Sequence, residues 1–152
     1  MSRNFFFFNP IVFSISILVG LFVCCKSQNE ADIMVEWELI SNFADNGEAF
    51  EAKFVLNNGS GRSLDDKNWA LFFSLSPRPI IAPLEGQAAQ VEHLNGDWYR
   101  LSPNEGFELL PDQSITIRYW GRSGVIKETD APLGLYFVFY DENGEEKEIV
   151  QV

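Results

Sequence analysis

The residues in this sequence best suited to chemistry at a surface are its tryptophans. A pyranose ring has a flat CH face that stacks on an indole. This requires the indole to stand in water, with a few polar groups beside it for the hydroxyls. Of the four Trp, Trp37 alternates with Ile33, Val35 and Leu39, and Trp69 with Leu71 and Phe73, so both read as core. Trp98 instead falls in phase with Arg100, and Trp120 with Thr116 and Arg118. Side chains alternate across a strand, which sends Trp98 and Trp120 to polar faces. The candidate carbohydrate-binding residues are therefore Trp98, Trp120, Asp97, Arg100 and Arg118. The competing use of an outward aromatic is packing on a neighbouring domain.

Other chemistry has less to build on. His93 is the sole histidine, so no second imidazole is there for a catalytic pair, and a structural place at the sheet interior or sandwich edge is expected. No residue is assigned a catalytic role. Asp65-Asp66 and Asp141-Glu142-Asn143 offer oxygen ligands but not a full calcium set, and read as solvated turn carboxylates. Neither a metal nor another cofactor is expected. Asn57-Asn58-Gly59-Ser60-Gly61 precedes no helix-forming segment, so it reads as a turn and not a phosphate loop. Asn58-Gly59-Ser60 also has the form of a glycosylation acceptor, a match that carries little weight. Cys24 and Cys25 are adjacent and have no partner downstream, which excludes a disulfide framework.

The elements that must carry these residues are strands. Asn95-Gly96 is a strong hairpin signal, and a two-residue type I′ turn is expected there because both residues tolerate positive φ. Val91 to Leu94 and Trp98 to Leu101 flank it. Ile33 to Leu39, Phe50 to Leu56 and Ile115 to Trp120 alternate with period two, and a last strand spans Lys147 to Val152. Trp69 to Ser74 and Leu135 to Tyr140 are apolar on both faces and read as central strands. Ile80 to Ala89, with Pro83 and Gly86, is ambiguous. About eight strands and no helix-period segment point to an all-β sandwich or barrel. Fourteen Phe, four Tyr and four Trp can fill its core, although several Phe precede the domain.

The chain has 152 residues, enough for one domain. Residues 1–25 have a basic Arg3 followed by an apolar run and read as an export signal. Asn9-Pro10 leaves that run short for a bilayer span. A cysteine closing such a run resembles a bacterial lipoprotein signal. That resemblance implies lipidation at Cys25, with Cys24 the alternative, and membrane attachment through the lipid in the cell envelope. An ordinary signal peptide cut nearby is the other reading. Residues 26–32 form a polar tether and 33–152 the domain. The formal net charge is −11, and loss of Arg3 makes the exported chain one unit more acidic. Nucleic acid is excluded as a partner, because its binding needs clustered Lys and Arg.

Four local patterns now coincide in order. They are Asn68-Trp69-Ala70-Leu71-Phe72-Phe73-Ser74; His93-Leu94-Asn95-Gly96-Asp97-Trp98-Tyr99-Arg100-Leu101-Ser102-Pro103; Phe107 with Leu110-Pro111; and Thr129-Asp130-Ala131-Pro132-Leu133-Gly134-Leu135-Tyr136-Phe137-Val138. Over residues 33 to 152 the chain resembles the N-terminal domain of bacterial chitobiases and β-N-acetylhexosaminidases, the family 20 glycoside hydrolases. The resemblance implies an immunoglobulin-like β-sandwich, similar to family 2 carbohydrate-binding modules, with chitin or N-acetylglucosamine glycans and a catalytic hexosaminidase domain as partners. Asp112 follows Pro111 where the family often has Gly. The Asp-Glu pair of family 20 hydrolysis belongs to a (β/α)8 barrel of at least about 200 residues. The expectation is thus a non-catalytic accessory domain, either standing alone or as the front piece of an enzyme. The final strand, lacking a polar tail, favours the second. A scaffold that packs on a catalytic domain without a sugar ligand is the alternative.

Overall fold

In the computed structural model, residues 33–75, 80–83, 88–126 and 128–152 are described. The export signal, Cys24, Cys25 and the tether lie outside them. Eleven strands occur among the described residues: β1 (Ile33–Ala44), β2 (Ala49–Asn58), β3 (Leu64–Asp65), β4 (Trp69–Ser74), β5 (Ile80–Pro83), β6 (Ala89–Asn95), β7 (Trp98–Pro103), β8 (Glu108–Leu109), β9 (Gln113–Arg122), β10 (Leu133–Tyr140) and β11 (Glu146–Gln151). The expected strands are present. The additions are the two-residue β3 and β8 and the short β5, none long enough to show a period. Strand β5 falls in the stretch that the sequence leaves ambiguous.

The strands form a four-stranded sheet, β1-β2-β9-β5, and a five-stranded sheet, β11-β10-β4-β7-β6, with β3 and β8 as a small ribbon. Every pairing is antiparallel. The two main sheets face each other as a β-sandwich. Phe54 of β2 meets Phe73 of β4 across the gap, with ring centroids 5.1 Å apart, and stacks on Tyr119 at 5.4 Å. Trp69 lies between Phe107 and Phe137 at 5.3 and 5.4 Å. These rings are buried, as period two predicts for Trp69, Tyr99 and Leu101. Truncating one to Ala would cost about 3–5 kcal/mol. Trp37 packs on the same core from edge strand β1, only half-buried, and its Nε1 donates to the Tyr119 hydroxyl at 2.7 Å. Burial drives the Tyr119 pKa well above its ordinary value, and the bond from Trp37 opposes that shift. Edge strands β1, β6 and β11 carry Glu36, Glu38, Glu92, Glu146 and Glu148, charges that discourage further strand pairing.

Two local expectations are corrected. The hairpin turn is not Asn95-Gly96 in type I′. Asn95 pairs with Trp98, so the central residues are Gly96 and Asp97. Of those two only Gly96 has positive φ (+50°), the type II′ pattern with Gly first. A register shift between His93 and Asn95 moves the turn by one residue. Asn58, read as part of the turn, is instead the buried last residue of β2. It is 1% exposed, and its Nδ2 donates to the carbonyls of Arg62 and Leu109 at 2.9 Å each. The nitrogen that glycosylation needs is thus spent in the folded domain. Asp112 does adopt the left-handed conformation (φ +60°) that favours Gly, and Asp tolerates it.

Candidate functional site

The hairpin places Trp98 at the start of β7, with its side chain on the outer surface of the five-stranded sheet. Burial alternates along the strand, so Tyr99 and Leu101 enter the core while Trp98 remains 44% exposed. Trp98 pairs with Ser74 of β4, and Phe72 pairs with Arg100 on one side and Tyr136 of β10 on the other. The outer row across the sheet therefore reads Tyr136, Phe72, Arg100, Glu92. The Trp98 ring lies 6.3 Å from Tyr136 with an interplanar angle of 82°. Tyr136 belongs to β10, two strands from β7, and Ser74, the residue of β4 that pairs with Trp98, has only a small side chain. Phe72 and Tyr136 stack on each other at 5.3 Å and 7°.

Polar groups flank this aromatic strip. Arg100 is ion-paired with Glu92 across β6 and β7, and both stay accessible. Asp97 is exposed in the turn, where its carbonyl accepts the Leu75 amide at 2.8 Å. Burial holds the Tyr136 hydroxyl above its ordinary pKa, assisted by Glu146 and Tyr140. Tyr140 is raised by burial, against a lowering influence from Arg100. Both phenols are thus neutral donors at physiological pH. A ring face in water, two phenols and a Glu-Arg pair form a surface suited to stacking and hydroxyl recognition.

The remaining candidates lie elsewhere. Trp120 and Arg118 have the outward phase, but on the four-stranded sheet, so the sandwich separates them from Trp98, Asp97 and Arg100. Trp120 is half-buried between Glu51 and Ala82, its pairing partners on β2 and β5. Its Nε1 is shielded and has no hydrogen-bond partner among the described residues. Arg118 lies 3.5 Å from Glu51. His93 closes the hairpin, with Nε2 2.7 Å from the Gly96 carbonyl, which suits the expected structural place at the sandwich edge. The acidic turns meet around an open groove of ≈ 1190 Å³ that also includes Tyr140 and Lys147. Their carboxylates cap backbone amides. Asp65 accepts from Lys67 and Asn68, Asp66 from Gly106, and Asp141 from Asn143 and Glu145. The amides of Glu145 and Asn143 lower the Asp141 pKa.

Sequence reasoning missed Phe72, Tyr136, Tyr140 and Glu92. A signal for the first three was present, since β4 and β10 are apolar on both faces. Read as burial, that pattern equally describes a strand whose outer face carries rings beside Trp98.

A family model described as "Putative carbohydrate binding domain" matches residues 28–150. The chain belongs to this family. The match spans β1 to β10 and all but the last residue of β11, including the hairpin and both aromatic strands of the outer face. No curated protein sequence matches the chain. Among solved structures, the family 20 exo-β-N-acetylglucosaminidase of Vibrio harveyi in complex with N-acetylglucosamine superposes with a TM-score of 0.60 at 19% identity. The match covers 80% of this chain but 18% of that enzyme. The chitin-binding domain of Chi18aC from Streptomyces coelicolor gives 0.50 at 18% identity, covering 69% of this chain and 89% of that domain. A family 3b carbohydrate-binding module from the cellulosomal cellobiohydrolase 9A of Clostridium thermocellum also gives 0.50, at 14% identity, covering 77% and 95%. At these identities the likeness concerns the fold, which is the β-sandwich that the family resemblance implies.

Proposed function

We propose that this chain is a non-catalytic accessory domain that binds carbohydrate through the outer face of its five-stranded sheet. Its ligand class is chitin or N-acetylglucosamine glycans, and it serves a β-N-acetylhexosaminidase-like enzyme at the cell envelope. The observation that carries the reading is Trp98, 44% exposed and flanked by Tyr136 and the Arg100–Glu92 pair, in a chain of a carbohydrate-binding family. Retention on acid-swollen amorphous chitin tests it. The wild-type chain is retained, Trp98→Ala is released, and Trp120→Ala behaves as wild type. A wild-type chain that washes through overturns the reading.

Export and lipid attachment at Cys25, or at Cys24, complete the proposal, since a tethered module would hold its enzyme near envelope-associated glycan. Incorporation of a labelled fatty acid in the producing cell checks this, and label persisting in the Cys24→Ala, Cys25→Ala double variant refutes it. Phe43 and Ile126 favour a second reading, a scaffold that packs on a catalytic domain. They are 84% and 83% exposed, and the Asn42 side chain holds the backbone beside them by bonding the Val125 amide and carbonyl, each at 2.8 Å. That reading predicts a raised Tm when a family 20 barrel is added in trans. An unchanged Tm at saturation counts against it.

A further inference from the structure

We infer that the outer face takes one glycan chain at a time, stacked on the exposed ring of Trp98, and does not bind the flat surface of crystalline polysaccharide. The inference rests on the carbohydrate reading above and sharpens its ligand. A crystalline face is a plane of parallel chains, so a protein that adheres to it needs several aromatic faces exposed side by side in one plane. The outer sheet has rings in plenty but does not offer them that way. Phe72 and Tyr136 stack on each other at 5.3 Å and 7°, so one face of each ring is spent on the other. Both are half-buried. Trp98 stands at 82° to Tyr136, which turns its face in a different direction from that pair. Trp120 cannot extend the platform, because it is half-buried on the other side of the sandwich.

The surroundings of Trp98 suit a chain with solvated sides. Arg100 and Glu92 lie two residues along β7 and across to β6, and offer donors and an acceptor in one ion pair. Asp97 adds a second carboxylate in the turn. These groups can reach the hydroxyl and acetamido edges of a ring seated on the indole. In a crystal those edges are already bonded to neighbouring chains.

The test uses the full 152-residue chain and three probes: soluble N-acetylglucosamine oligomers, acid-swollen amorphous chitin and crystalline chitin powder. Calorimetry with the oligomers is expected to show saturable one-to-one binding; amorphous chitin is expected to hold the chain until excess oligomer displaces it, and crystalline powder is expected not to retain it. Trp98→Ala should weaken oligomer binding at least tenfold, Trp98→Phe should restore part of it, and Trp120→Ala should leave it unchanged. A Tm within a few degrees of wild type confirms that each variant is folded. Retention on crystalline powder overturns this inference and leaves the carbohydrate reading standing. Binding to none of the three probes removes both.

Discussion

Trp98 and Trp120 occupy equivalent places in the alternation of their strands, both pointing away from the core, yet the two outer faces they join are unlike. Around Trp98 the neighbours are rings, Tyr136 and Phe72, with one ion pair at the margin. Along the outer face that carries Trp120 they are charges and polar groups. Lys53 bridges Glu38 at 2.7 Å, Arg118 approaches Glu51 at 3.5 Å, and Asn57 donates to Glu36 at 3.4 Å. The first face leaves its Trp in water, whereas the second covers its Trp and shields the indole nitrogen. Outward phase alone therefore does not make an aromatic a binding residue. What surrounds it on the adjacent strands decides whether its face is free.

The strongest way to break this comparison is to disable one sheet from within. Phe50 lies over Gly121, and a Cβ there would sit 2.2 Å from the ring atoms Cε1 and Cζ of this fully buried side chain. Gly121→Ala should therefore cost about 3 kcal/mol, the upper part of the range for overpacking. Denaturant unfolding measures the loss. A change below about 0.5 kcal/mol would show that Phe50 can move aside. Chitin retention should persist in the folded fraction, because the clash lies in the sheet opposite Trp98.

Exchange of the two tryptophans sharpens the contrast. Trp120→Ala removes a half-buried indole and should destabilise by about 1–2 kcal/mol, whereas Trp98→Ala should cost less than about 1 kcal/mol. Binding should respond in the reverse order. Equal effects of the two substitutions on both properties would erase the distinction between the faces.

Tyr119→Phe deletes the acceptor of the Trp37 bond and should cost about 1 kcal/mol. It should also alter the alkaline limit. The Tyr119 pKa is raised above its ordinary 10.0 by burial, so the stability tied to its neutral form is complete below that pH. It is lost as pH rises beyond 10.0 towards the folded value. Melting curves from pH 8 to 11 should show the wild-type Tm falling more steeply at the top of the range than that of Tyr119→Phe. Parallel curves would mean that Tyr119 does not govern the alkaline loss.

Much of the sandwich was legible from the sequence, because its main strands satisfy period two locally. Ile33 to Leu39, Phe50 to Leu56 and Ile115 to Tyr119 alternate, and the structure turns the in-phase apolar members to the core, where they are buried or half-buried. Short elements such as Leu64–Asp65 contain too few residues to show a period. The hairpin was legible as a hairpin but not in its register, since a one-residue shift near His93 substitutes Gly96-Asp97 for Asn95-Gly96. Asn58 looks like a surface turn residue because Asn-Gly favours turns. Its burial depends on the Leu109 carbonyl, 51 residues away.

The candidate site divides along the same line. Phase by itself separated Trp98 from Tyr99 and Trp120 from Tyr119, because neighbouring side chains on a strand must point to opposite faces. The strand count pointed to a sandwich or barrel, and the motifs around the hairpin carried the family resemblance. Only the tertiary structure put Phe72, Tyr136 and Glu92 beside Trp98 and moved Trp120 to the far side. Those neighbours come from strands separated in sequence, and their register is set by long-range pairing that no local pattern encodes.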